Sequence, residues 1–172
     1  MEKYIDKIGN FNSVYPPTTY LTNAYWIYCV PQFKPENILI LGYENGTIAG
    51  LVRLLYGDVP ITGVDNKDCE NRYNVNLIKA DAREYIKSCP HFEAVIIDIT
   101  SDVKGEDLFI YESEFAEDIG KIADYIIINA KPESNMHEYR KRFNRFGSNK
   151  PNRIANRIYY FGTKDYNHLI IR

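Results

Sequence analysis

Apolar and polar positions along the chain fall into short apolar runs separated by stretches of helical period. The apolar runs at 37–41, 60–64, 75–80, 94–97 and 125–128 have the length and near-continuous hydrophobicity of strands covered on both faces. Between them, residues 46–56 place Ile48, Leu51, Val52, Leu54 and Leu55 at helical spacing, and Gly57-Asp58 ends that helix. Further helices are predicted over 81–88, 107–122 and 135–146. Before the first strand, residues 1–17 read as irregular and end at Pro16-Pro17. A helix is then predicted over 20–30, with Thr18-Thr19 at its start and Pro31 as its stop. At the other end, 154–161 and 166–171 read as two strands joined by Gly162-Thr163-Lys164-Asp165, a hairpin signal. The pattern predicts an α/β protein with a doubly wound, mostly parallel sheet that ends in an antiparallel hairpin. An N-terminal segment over 1–36 precedes a domain over 37–172.

Candidate chemistry gathers at the carboxyl ends of the predicted strands. Gly42-Tyr43-Glu44-Asn45-Gly46 turns straight from strand into helix, and Asp65 closes the second strand 23 positions after Gly42. Glycines let the backbone turn tightly against a ligand, and an acid there can accept hydrogen bonds from ribose hydroxyls. A dinucleotide fingerprint needs glycine at position 44, where Glu44 stands, and the Gly-Lys-Ser/Thr of a P-loop is absent. Asp81 and Asp98 end the third and fourth strands, so Asp65, Asp81 and Asp98 would line one mouth. Plainer roles exist for each. The turn can be an ordinary βα connection, Asp81 a helix N-cap, and Asp98 an acceptor for loop hydrogen bonds.

Four ordered segments carry a family resemblance. Residues 38–46 (ILILGYENG) resemble the first motif of class I S-adenosylmethionine-dependent methyltransferases. Within that superfamily they look most like the spermidine synthases, the polyamine aminopropyltransferases, whose glycine-rich turn ends Asp-Gly. Residues 81–86 (DAREYI) are similar to that family's adenine-side segment, 92–100 to its strand-four segment, and 108–115 to the helix after its substrate loop. The likeness runs over about 37–130.

The resemblance implies a Rossmann-like class I methyltransferase fold with S-adenosylmethionine or its decarboxylated form as co-substrate. Gly42, Tyr43, Glu44, Asn45 and Gly46 would pass the methionine portion of the donor. Asp65 and Asn66 would lie at the ribose, and Asp81 with Ala82 at the adenine. Asp98 matches the carboxylate that takes a proton from an acceptor amine, and no metal is implied. There are departures. Asn45 stands where the aminopropyltransferases carry an acid. The second acid after Asp98, Asp102, comes one position late and without the family's proline. Only residues 66–74 connect strands two and three, so the usual helix there is short or missing. Residues 1–36 leave no room for the family's N-terminal β-domain, and its Tyr-His-Glu segment is not evident over 23–30.

Composition narrows the class without naming a function. The 172 residues are 45% hydrophobic and 26% charged, ordinary for a soluble globular protein. No apolar stretch reaches the roughly 18 residues of a membrane span, and no leader pattern is evident, so a cytoplasmic location is expected. Cys29, Cys69 and Cys89 lack paired spacing, which reads as reduced thiols. The net charge of −2 hides an asymmetry: residues 139–164 hold eight Lys or Arg and no acid, interleaved with aromatics. That stretch reads either as a nucleic-acid surface or as a solvated face whose aromatics are core.

The sequence thus predicts a sulfonium-dependent transferase, spermidine-synthase-like, moving a methyl or aminopropyl group to a small nucleophile such as an amine. A homodimer is one assembly it admits. The alternatives are an RNA-directed methyltransferase or nucleic-acid-binding module using the basic 139–164 surface, and a degenerate adenosyl-binding protein.

Overall fold

A computed structural model describes residues 25–99, 108–131, 136–143, 145–149 and 157–163. Seven strands form one sheet: β1 (Ile38–Leu41), β2 (Ile61–Asp65), β3 (Asn76–Lys79), β4 (Phe92–Ile97), β5 (Ala123–Ala130), β6 (Arg145–Asn149) and β7 (Arg157–Gly162). Their spatial order is β3-β2-β1-β4-β5-β7-β6. The first five run parallel, and β7 inserts antiparallel between β5 and β6. The helices are α1 (Thr47–Tyr56), α2 (Ala82–Tyr85), α3 (Ser113–Ile122) and α4 (His137–Arg142). The expected doubly wound, mostly parallel sheet with an antiparallel end is present.

The near-continuous apolar runs of β1, β4 and β5 are explained by burial on both sides, whereas β3, expected to be covered likewise, is an edge strand with no buried residue. Along β1 the side chains alternate: Ile38 and Ile40 join a cluster with Leu51 and Val52 of α1, and Leu39 and Leu41 join Phe115 and Ile119 of α3 and Tyr139 of α4. All four β1 side chains are buried. Placing one such strand between two helical layers is worth on the order of 2 kcal/mol per buried side chain.

Several local expectations change. The N-terminal helix is, over its described part, a short 3-10 helix, Tyr25–Cys29. Its run of Tyr, Trp, Ile and Tyr has weak helix propensity and packs against the sheet core instead. The helix predicted over 107–122 is interrupted. A 3-10 turn, Leu108–Tyr111, precedes α3, and Glu112 between them is extended at φ −78°, ψ 151°. Residues 145–146, expected to end a helix, begin strand β6, because pairing with β7 satisfies their backbone. The antiparallel pair is therefore β6 with β7. The strand expected at 166–171 lies outside the described residues, as do 1–24 and Asp102.

No helix forms between β2 and β3 among residues 66–75. The connection is held by Arg53 of α1, whose guanidinium donates to the carbonyls of Tyr73 and Asn74, each at 3.0 Å, and to those of Gly57 and Val59. Asn71 adds a bracket, accepting from Val75 N at 3.1 Å and donating to Val75 O at 2.8 Å. Among the described residues, no helix is long and apolar enough to cross a membrane.

Candidate functional site

Register sets the site. Leu41 of β1 lies level with Val64 of β2 and Ile97 of β4, so the next residues, Gly42, Asp65 and Asp98, emerge together at the carboxyl edge. β1 and β4 are adjacent while β2 and β5 lie on opposite sides of them, which makes this the point where the strand order reverses. Open parallel sheets bind ligands in the crevice at that point. A cleft of about 960 Å³ lies there, at the upper end of the range for small-molecule sites.

The glycine turn is dictated by space. Gly42 has φ +85°, and a Cβ on it would run into the carbonyl of Asp98. Glu44 is held at φ +47°, a left-handed conformation uncommon outside glycine. Its amide donates to Asp65 Oδ2 at 2.9 Å, and Lys67 N donates to Asp65 Oδ1 at 2.9 Å. Asp65 therefore ties the turn to β2. A carboxylate has about four acceptor positions, so each of its oxygens can still accept a hydroxyl from the cleft it lines.

Asp81 caps α2, accepting from Arg83 N at 2.8 Å, and its other oxygen pairs with Arg83 Nη2 at 2.6 Å. That Arg83 partnership holds its carboxyl below the usual carboxylate range, against the opposing effect of burial. The Arg83 guanidinium lies 4.9 Å from the Phe109 ring centre, so Asp81, Arg83 and Phe109 form one wall. The capping role anticipated for Asp81 and its place on the cleft coexist.

Asp98 sits immediately beyond β4. Asn129 Nδ2 donates to its Oδ1 at 2.7 Å, and the Tyr25 hydroxyl donates to its Oδ2 at 3.2 Å. Burial pushes its carboxyl up to about 7, the two hydrogen bonds pull it down, and the nearby charge of Glu44 adds to the rise. Burial and the charge of Asp98 together keep the Tyr25 hydroxyl protonated. A half-buried carboxylate oriented by two donors and titrating near neutrality can accept a proton from a reacting group.

Gly42, Glu44, Asn45, Asp65, Asn66, Asp81, Ala82 and Asp98 all line the cleft. Two of the singled-out positions do not. The Tyr43 ring turns under the turn, 3% exposed, and Gly46 is buried at the start of α1. A Cβ on Gly46 or on Gly63 would come within 2.5 Å of Tyr43, so both glycines make room for its ring. Sequence reasoning missed Tyr25, Trp26 and Asn129. Asn129 carries the signal that exposed Asp98, a polar residue closing an apolar strand. Tyr25 carries none, since its role depends on a contact 73 residues away.

The basic stretch is partly structural. Tyr139, Phe143 and Phe161 are core residues, and the Tyr139 hydroxyl donates to Ile110 O at 2.7 Å. Lys141 and Arg142 pair with Glu138 at 2.8 and 3.1 Å. Lys150, Arg153 and Lys164 lie outside the described residues.

No protein family and no curated protein matches the chain's sequence. Solved structures do match in three dimensions. Human methyltransferase-like protein 13, in complex with SAH, aligns at 15% identity and a TM-score of 0.64, over 80% of this chain and 75% of that one. A spermidine synthase in complex with the transition-state analogue AdoDATO aligns at 14% identity and a TM-score of 0.63, over 81% of this chain and 60% of that one. Spermidine synthase from Thermotoga maritima gives 14% identity and a TM-score of 0.62, over 85% and 62%. The chain thus spans about 60% of the length of the spermidine synthases it resembles. At these identities the likeness concerns the fold, which does not single out the spermidine synthase branch: the sheet and its helices form the Rossmann-like fold of class I methyltransferases.

Proposed function

We propose that the protein binds an adenosyl sulfonium, S-adenosylmethionine or its decarboxylated form, and transfers an alkyl group from it to a small amine. The observation that carries this reading is Asp98, a carboxyl raised to about 7 and fixed by Tyr25 and Asn129 at the switch point of the sheet. Structural neighbours with SAH or AdoDATO in their complexes have the same fold. The cleft suits an adenosyl group. Asp65 offers acceptors for ribose hydroxyls, and Ala82, Phe109 and Ile99 offer apolar surface for a base.

In this reading Asp98 does three things. It attracts the protonated amine, holds the nitrogen beside the carbon attached to sulfur, and takes its proton. The nitrogen lone pair forms the new C–N bond as the C–S bond breaks. The electron pair stays on sulfur, which leaves as a neutral thioether, and the proton ends on Asp98. Glycine at position 42 lets the turn pack directly against the Asp98 carbonyl, where a side chain would collide, and so keeps the turn and Asp98 together at the cleft.

The test is calorimetric titration of the purified protein with S-adenosylmethionine, its decarboxylated form and methylthioadenosine. Saturable one-site binding of an adenosyl ligand is expected, with Asp98→Asn keeping that binding and losing transfer to amines. Preference for the decarboxylated donor assigns aminopropyl transfer, and preference for S-adenosylmethionine assigns methyl transfer. Binding of none of the three overturns the reading.

A further inference from the structure

Glycine inside a helix or a strand weakens the element, yet Gly50 stands within α1 and Gly63 in the middle of β2. Space accounts for both. A Cβ on Gly50 would come within 2.8 Å of the Tyr73 ring, and one on Gly63 or Gly46 within 2.5 Å of Tyr43. Gly46 and Gly50 are four residues apart, so they lie one above the other on a single face of α1. Together the three glycines open a slot for two tyrosine rings. Burial pushes the Tyr43 hydroxyl up to about 12, and the Tyr73 phenol near it adds to the rise.

The two rings belong to different walls of the main cleft. Tyr43 sits in the turn whose Gly42, Glu44 and Asn45 face the ligand space, and Tyr73 in the connection whose Lys67, Cys69 and Glu70 face it. That connection, 66–75, leaves β2 at the cleft, where Lys67 N is bound to Asp65. It reaches β3 at the far edge of the sheet, where Arg53 grips the carbonyls of Tyr73 and Asn74. Extended, such a length of chain would span about 33 Å, whereas the strand it runs back along measures only about 17 Å. Fixing its two ends therefore leaves slack between them, and a contact in between is needed to hold the wall.

We propose that Tyr43 and Tyr73 form a joint that sets the distance between the glycine turn and the 66–70 wall, which makes both tyrosines positioning residues for the ligand of the main cleft. Neither lines that cleft; each acts through the segment that carries it. The joint explains why Gly50 and Gly63 are kept free of side chains inside regular elements. The transferase reading enters only through the ligand used in the test.

Tyr73→Ala removes the ring and keeps the carbonyl that Arg53 holds. Calorimetry should show methylthioadenosine bound about tenfold more weakly, the equivalent of one hydrogen bond, and Tyr73→Phe should restore the affinity. Gly50→Ala drives a methyl into the same ring. It should weaken binding too, yet add nothing in the Tyr73→Ala protein, because both changes break one contact. A second readout needs no ligand. Cys69 lies on the connection, Cys89 packs on the opposite face of the sheet, and Cys29 is fully buried. Burial and the Asp65 carboxylate hold the Cys69 thiol above its usual range. Freeing the connection should therefore quicken alkylation of Cys69 by iodoacetamide several-fold, mapped by peptide mass spectrometry, with Cys29 and Cys89 unchanged. Unchanged affinity together with unchanged Cys69 labelling in Tyr73→Ala overturns the proposal. So do losses from Gly50→Ala and Tyr73→Ala that add, or a rise at all three thiols, which marks general loosening of the fold. If the native protein binds no adenosyl ligand, the transferase reading falls, while selective quickening at Cys69 still upholds the joint.

Discussion

Asp98 has a stability signature that can be measured without any ligand. Its carboxyl is raised from 3.8 to about 7 in the folded protein, chiefly by burial. A raised folded-state pKa means that the native protein holds a proton which the unfolded chain has already released. The stabilisation linked to that proton is therefore complete below pH 3.8 and is lost as pH climbs through about 7. Each pH unit across that window removes about 1.4 kcal/mol, so the whole displacement is worth roughly 4 kcal/mol. Asp98→Asn removes the titration and keeps the size of the side chain. Changes in packing or hydrogen bonding add an offset that does not vary with pH, and the other titrating groups cancel between the two proteins. Urea unfolding of both proteins, followed by circular dichroism at matched pH from about 4 to 8, gives the difference directly. Relative to the variant, the native protein should lose about 4 kcal/mol over that range and level off above pH 7. A difference independent of pH would place the carboxyl near its ordinary value, and the case for Asp98 as a proton acceptor near neutrality would fall with it.

Three further outcomes are expected. Asp65→Ala should weaken methylthioadenosine binding by about 1–3 kcal/mol, because it strips the acceptor from the amides of Glu44 and Lys67 as well as from the ligand; unchanged calorimetric affinity would remove Asp65 from the site. Gly63→Ala should destabilise the fold by about 1–3 kcal/mol in urea unfolding, since the added methyl meets the Tyr43 ring at 2.5 Å; the gain usual for Gly→Ala inside a strand would contradict that packing. Tyr25→Phe removes a hydrogen bond that lowers the Asp98 pKa, so the acid limb of the transfer rate should move to higher pH. A pH profile unmoved by Tyr25→Phe would make that contact merely structural.

What the sequence made legible follows from where its signals lie. β1, β4 and β5 are short apolar runs bounded by polar residues, and their burial between two helical layers leaves little freedom in reading them. Asp65, Asp81 and Asp98 stood out because an acid directly after such a run needs a reason to be there. β6 was not legible. Arg-Phe-Gly-Ser-Asn has neither strand alternation nor β-branched residues, and it is a strand because β7 offers it a ladder. The connection between β2 and β3 shows the same dependence on remote contacts. Its shape is set by Arg53, more than ten residues before it, and no pattern within 66–75 announces that clamp.

The division between visible and hidden residues also separates two kinds of chemistry at Asp98. Its position is local: four apolar residues form a strand, and the strand's end is the edge of the sheet. Its reactivity is not local, because a carboxylate at a sheet edge titrates normally unless something removes water and limits its hydrogen bonds. Here that environment comes from Tyr25, 73 residues before it, and Asn129, 31 residues after it. Tyr25 arrives on the 3-10 helix packed against the sheet core, and Asn129 lies one residue before the end of β5, the strand paired with β4, so both act on the carboxyl only through tertiary contacts. A change that unseats Tyr25–Cys29 while sparing every acid should therefore expose Asp98 and lower its pKa toward 3.8, read from the pH dependence of stability. A change confined to Asp65 should leave that pH dependence unmoved.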